Sequence, residues 1–77
     1  FIDQLIVTPA AYHVIDYKTD TKPSAQSVES FLSERASHHS PQVMAYAAAL
    51  QKSASTRAVH VHLYFTDVAQ AYTWGAL

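Results

Sequence analysis

Apolar residues gather at the start of the chain into two runs, residues 2–8 and 11–19, rich in Ile, Val, Leu and Tyr. Between them stands Thr8-Pro9-Ala10-Ala11. Proline has no N–H to give to a strand ladder, so Pro9 belongs in the connection, and so short a link predicts an antiparallel hairpin. With Pro9-Ala10 as the loop, Thr8 pairs with Ala11 and partner numbers total 19. Asp3 then stands opposite Asp16, with Cβ atoms roughly 4.5–5.5 Å apart. Lys18 falls on the same face, one step along the strand. A sheet tolerates opposed acids if one is protonated, if a cation sits between them, or if they are exposed; the flanking Ile2, Leu5, Val14 and Ile15 predict partial burial, which favours the first two.

Helical periods follow. Ser24 is the expected N-cap of a first helix over about 25–37, with Val28, Phe31, Leu32 and Arg35 recurring on one side. Ser40-Pro41 predicts the start of a second, over about 41–52, with Val43, Ala47 and Leu50 inward and Gln42 and Tyr46 sharing a face. Ser53 to Thr56 reads as a link. From Arg57 to Thr66 the pattern is a strand: Val59, Val61, Leu63 and Phe65 point one way, and His60, His62 and Tyr64 the other. Asp67-Val68-Ala69 reads as a turn before a short final strand over Gln70–Trp74. The predicted fold is α+β, of the α/β sandwich type: an antiparallel hairpin, two helices, then further strands of one mixed sheet.

Composition narrows the chemistry. The 77 residues make at most one small domain, and 49% of them are hydrophobic, as in a globular chain. With no cysteine there is neither a disulfide nor a cysteine-bound metal. A net charge of −1 excludes a strongly basic nucleic-acid binder. No apolar run reaches membrane-spanning length, so a soluble cytoplasmic protein is expected. Phe1 opens directly into a strand, which suggests a piece of a longer protein.

Two opposed carboxylates suit Mg²⁺ or Mn²⁺, hard cations that take oxygen ligands and keep several waters. Asp3, Asp16 and the carbonyl of Tyr17 are the candidate ligands. Lys18 is placed to orient or deprotonate a water, or to stabilise a phosphoryl group. Gln42 and Tyr46 would brace it or hold a phosphate. The bland alternative is a surface ion pair between Asp16 and Lys18, worth roughly 0–1 kcal/mol. His60 and His62 could bind zinc with His13, His38 or His39, although half-exposed sheet histidines are the plainer reading. Tyr12, Tyr64, Tyr72 and Trp74 suit base stacking, or more ordinarily packing. Lys22, Arg35 and Arg57 are candidate phosphate contacts or solvated charges.

Three segments in order, Phe1-Ile2-Asp3-Gln4-Leu5, Val14-Ile15-Asp16-Tyr17-Lys18-Thr19 and Gln42-Val43-Met44-Ala45-Tyr46, resemble motifs of the RecB-like nucleases in the PD-(D/E)XK superfamily. The closest likeness is to the C-terminal nuclease domain of RecB/AddA-type helicase–nucleases. The usual order there is Ile-Asp-Arg, Asp-Tyr-Lys-Thr and Gln-x-x-x-Tyr, and Gln4 stands where the family often has Arg. The resemblance implies Asp3, Asp16 and Lys18 as catalytic residues and Asp3 and Asp16 as metal ligands, with Gln42 and Tyr46 in support. It implies a restriction-endonuclease-like core lacking its N-terminal helix, whose His or Glu would complete the site; residues 1–77 would be one partial nuclease domain. The implied activity is Mg²⁺-dependent DNA hydrolysis of the exodeoxyribonuclease V type, in break-end processing and recombinational repair. The implied partners are DNA, an ATP-binding helicase domain of the same chain and a second helicase–nuclease subunit, in a bacterial or archaeal nucleoid. A catalytically inactive DNA-binding or structural remnant is the alternative. The lack of cysteines counts against branches with a cysteine-bound iron–sulfur cluster.

Overall fold

The computed structural model describes residues 3–53, 57–75 and 77. Chain order is β1 (Gln4–Val7), β2 (Ala11–Lys18), α1 (Val28–Ser53), β3 (Ala58–Phe65) and β4 (Gln70–Trp74). The strands form one mixed sheet in the order β1-β2-β3-β4: β1 and β4 run antiparallel to their neighbours, and β2 and β3 run parallel. Parallel neighbours need a crossover, and α1 supplies it. Residues 54–56 of the expected link lie outside the described residues.

The hairpin register is the one expected. Gln4 opposes Ile15 and Val7 opposes Tyr12, and one further step of the same register sets Asp3 against Asp16. No Asn-Gly turn is needed, because Thr8 closes the loop itself. Its N–H donates to Ala11 O at 2.9 Å, its hydroxyl lies 3.0 Å from the same oxygen, and Ala11 N–H donates to Thr8 Oγ1 at 3.0 Å. That side-chain clasp is what holds the pairing against a one-residue slip.

The two helices expected from Ser24 and Ser40-Pro41 are one helix, and neither serine caps it. Ser27 is the cap: its Oγ accepts from Ser30 N–H at 3.1 Å, and its carbonyl accepts from Phe31 N–H. Pro41 lies inside α1. Proline cannot donate to the carbonyl four residues back, that of Ser37. The Ser40 hydroxyl takes over, donating to Ser37 O at 3.0 Å. The apolar stripe stays in phase across the proline, since Ala36 and Val43 are two turns apart and both are buried. One continuous face therefore rewards one continuous helix. Because Pro41 is exposed, Pro41→Ala should stabilise the fold by ~1–2 kcal/mol, as the missing donor returns without disturbing the core. Urea denaturation would show it; a loss of stability would mean that α1 depends on the proline.

α1 lies over β3 and β4. Phe31, Val43 and Ala47 pack on Val14, Val59, Val61, Leu63 and Phe65, all buried. Phe31 meets Phe65 edge to face, with ring centres 5.6 Å apart. β3 alternates as its sequence predicts, with its valines, Leu63 and Phe65 inward and its histidines and Tyr64 on the opposite face. β1 is exposed along its length, with Leu5, Ile6 and Val7 each more than two-fifths accessible.

Candidate functional site

The strand alternation of β2 turns Val14, Asp16 and Lys18 toward the helix side and His13, Ile15 and Tyr17 away from it. Asp16 is the buried polar residue among the described ones, at 5% exposure. A buried carboxylate needs partners: among the described residues Lys18 Nζ lies 3.1 Å from Asp16 Oδ2 and the Tyr46 hydroxyl donates to it at 3.3 Å. Lys18 Nζ also donates to Gln42 Oε1 at 2.8 Å. Burial, followed by the negative charge of Asp16, pushes the Tyr46 phenol up, so it keeps its proton and remains a donor.

Asp3 sits at the open edge. Its Oδ2 accepts from Tyr17 N–H at 2.7 Å. That bond first, then a hydrogen bond shared with the Asp16 carboxyl and the nearby charge of Lys18, holds Asp3 below the usual carboxylate range. The expected partial burial holds for Asp16 and fails for Asp3, because α1 covers β3 and β4 rather than β1. The two acids thus form a pair that is buried on one side and open to solvent on the other.

The backbone adds a third oxygen. Carbonyls of the even-numbered residues Ala10 and Lys18 accept from Ala58 and Thr66 on the β3 side. Tyr17 is out of phase with them, and its N–H turns to Asp3, so its carbonyl faces the β1 side as well. Two carboxylates, one carbonyl and an open side fit a hard divalent cation that keeps waters. Among the described residues no three His, Cys, Asp or Glu side chains gather where a cation could sit.

Five residues singled out from the sequence, Asp3, Asp16, Lys18, Gln42 and Tyr46, come together here. The histidines do not join them. His60 and His62 lie on the open sheet face with His13, whose ring stacks on His60 at 4.9 Å and whose Nδ1 is 3.2 Å from His62 Nε2. Their rings lie near parallel, 12° and 18° from His13, so their in-plane lone pairs do not aim at one point. Burial, then the charges of His13 and His60, holds His62 below its usual value. His38 and His39 are on α1, across the sheet. A zinc site built from these histidines is not what the geometry forms. Tyr12 and Trp74 pack against the core, and Tyr64 meets Tyr17 edge to face. A groove lined by Ile6, His13, Ile15, Tyr17, His62 and Tyr64 occupies the sheet face opposite to Asp16 and Lys18.

Other contacts at the site had no signal in the linear pattern. Thr66 N–H and Oγ1 both donate to Lys18 O, at 3.0 and 3.3 Å. Lys22 N–H donates to Asp67 Oδ2 at 2.8 Å. Arg35, a candidate phosphate contact, instead donates through Nε to Asp20 Oδ2 at 2.6 Å, and His39 Nε2 lies 3.0 Å from the same oxygen. Burial pushes Asp20 up, but its bonds and charge interactions with His39 and Arg35 outweigh burial and leave it below 3.8.

Asp3 and Asp20 therefore bind protons less well in the fold than in the open chain. Their contribution to stability is present above the unfolded value of 3.8 and is lost as pH falls through the lower folded values. Asp20→Asn should flatten the acid limb of the melting temperature below pH 3.8. Melting curves across that range would read this; an unaltered acid limb would mean that the Asp20 contacts add nothing.

A family model describing the PD-(D/E)XK nuclease superfamily matches residues 1–75. No curated protein and no solved structure matches the chain.

Proposed function

The chain belongs to the PD-(D/E)XK nuclease superfamily, and on that premise we propose that it is a metal-dependent DNA nuclease module that hydrolyses phosphodiester bonds. The observation that carries this is the convergence of Asp3, Asp16 and Lys18 at one open edge, with Lys18 Nζ held between Asp16 and Gln42. Asp3, Asp16 and the Tyr17 carbonyl would hold Mg²⁺ or Mn²⁺. When bound, such an ion polarises a phosphoryl oxygen and lowers the pKa of a bound water.

The protein's own residues account for the remainder. Lys18 Nζ has a third proton beyond those used on Asp16 and Gln42, and it is placed to orient the attacking water or to meet charge on the phosphoryl oxygens. Water oxygen bonds to phosphorus, the phosphorus–oxygen ester bond breaks, the water proton passes to solvent, and the departing oxygen takes up a proton from solvent. Gln42 fixes the lysine head group. Tyr46 keeps one lone pair of Asp16 occupied, so the carboxylate cannot rotate freely. Thr66 anchors the main chain under Lys18.

The order of Asp3, then Asp16-Tyr17-Lys18-Thr19, then Gln42 and Tyr46 supports a place beside the RecB/AddA-type helicase–nucleases. On that reading the module works in the cytoplasm on DNA ends during break repair and recombination, as an exonuclease fed by an ATP-driven helicase domain, with a second helicase–nuclease subunit. No helix among the described residues is long and apolar enough to cross a membrane.

Calorimetric titration with Mg²⁺ or Mn²⁺ tests the site directly. The wild type should give a binding isotherm that Asp16→Ala abolishes. Equal binding by both, with no cleavage of DNA by the full-length protein, would leave a structural remnant of the fold.

A further inference from the structure

Asp20 takes no part in the chemistry above, yet it continues the site. Asp16, Lys18 and Asp20 are spaced by two along β2 and just beyond it. Tyr46, Gln42, His39 and Arg35 are spaced by four, three and four along α1. The two series meet rung by rung: Tyr46 on Asp16, Gln42 on Lys18, and His39 with Arg35 on Asp20. Two strand residues advance roughly 6.6 Å, and three or four helical residues advance roughly 4.5–6 Å. The match is close enough for successive rungs to form between a strand and a helix running the opposite way.

The third rung is the strongest of these in charge. The Asp20 side chain is 17% exposed, and a single oxygen, Oδ2, takes both Arg35 and His39. Among the described residues, these are the ion pairs that join the segment after β2 to α1. On its other side that segment is tied to the β3–β4 turn through Lys22 N–H and Asp67. Gln42 lies one helical turn beyond His39, so anything that sets the height of His39 along β2 also sets the reach of the Gln42 amide toward Lys18. A general surface staple would need neither the shared acceptor nor the common spacing.

The geometry points to Asp20 as a positioning residue for the hydrolytic site: through Arg35 and His39 it holds α1 in the register that keeps Gln42 on Lys18. This rests on the nuclease reading given above, and it adds a residue outside the acid-x-lysine motif. Asp20 is not one of the residues that would hold the metal, and its contacts run to Arg35 and His39. Its loss should therefore lower the rate of the chemical step and spare the binding of substrate and metal.

The test uses the full-length protein with a DNA duplex end and Mg²⁺ under single-turnover conditions. Wild type that cuts, beside Asp16→Ala that does not, establishes the nuclease reading first; if wild type fails to cut, that reading falls, whatever Asp20 does. Given cutting, Asp20→Ala should slow the step by ~10- to 100-fold, the scale of a misplacement of about 1 Å. DNA and Mg²⁺ dissociation constants should stay at wild-type values. Asp20→Asn keeps the shape and one acceptor, so it should fall between the two and remains informative if Asp20→Ala unfolds. Because Asp20 acts through Gln42, Asp20→Asn combined with Gln42→Ala should be no slower than Gln42→Ala alone. Wild-type rates in both Asp20 variants would overturn the assignment. So would losses that multiply with that of Gln42→Ala, or a loss that appears in DNA affinity instead of rate.

Discussion

Lys18→Ala is expected to slow DNA cleavage by ~10²–10³-fold while Mg²⁺ binding persists, the scale seen when one preorganised donor is removed from a reacting centre. The lysine head group lies between a carboxylate at 3.1 Å and an amide oxygen at 2.8 Å. Both contacts restrict it, so little ordering is left to occur when the phosphoryl group arrives. The main chain at this position is held separately, by Thr66 on the Lys18 carbonyl. Truncating the side chain should therefore leave β2 and the acidic pair where they are. Removing the ammonium also leaves Asp3 and Asp16 facing each other with less compensating charge, which favours a divalent ion at the pair. Lys18→Arg should not restore the rate, because a planar fork does not fit a position built for a point charge. Single-turnover cleavage with calorimetry on the same samples would check all three statements. Cutting at the wild-type rate by Lys18→Ala would remove the lysine from the chemistry.

The largest effect on the fold is expected from Phe65→Ala, at ~3–5 kcal/mol. Phe65 is fully buried at the end of β3, packed edge to face on Phe31 and beside His39. A folded domain has only ~5–15 kcal/mol in total, so a loss of this size is a large share of it. The variant should be largely unfolded at body temperature or melt far below wild type. Its position makes it diagnostic, since the cavity would open under the helix segment that carries Arg35 and His39. Tyr72→Ala, on an exposed position of β4, should cost far less. Urea denaturation of both variants reads the contrast; similar midpoints would mean that the helix–sheet core is not what holds the molecule together.

Much of the site was readable from local chemistry. The Pro9-Ala10 loop set the hairpin register that opposes Asp3 and Asp16, because a short loop leaves few pairings open. The inward and outward faces of β3 followed from strict alternation, and Gln42 and Tyr46 share a helix face because they are four apart. That the two helical periods form one helix is hidden in the sequence for an equally local reason. Ser40-Pro41 is a sound start signal, and nothing in the linear pattern shows that Ser40 would instead donate to the Ser37 carbonyl that Pro41 cannot reach. Similarly, Ser24 and Ser27 are both acceptable caps, and the apolar phase set by the sheet beneath α1 selects Ser27.

Residues alone therefore specify what depends on neighbours a few positions away: the hairpin, the faces of each element, and the family to which the acid-x-lysine strand belongs. Tertiary structure decides what depends on two elements meeting. Whether Asp16 is buried and Asp3 open is set by where α1 lies on the sheet. Whether Arg35 and His39 face solvent or Asp20 is set by the register of a helix against a strand. Neither period, two in the strand or 3.6 in the helix, contains that register. Packing of Phe31, Val43 and Ala47 onto Val61, Leu63 and Phe65 seats α1 on the sheet, and the polar rungs from Asp16 to Asp20 hold it at the height where each meets its partner.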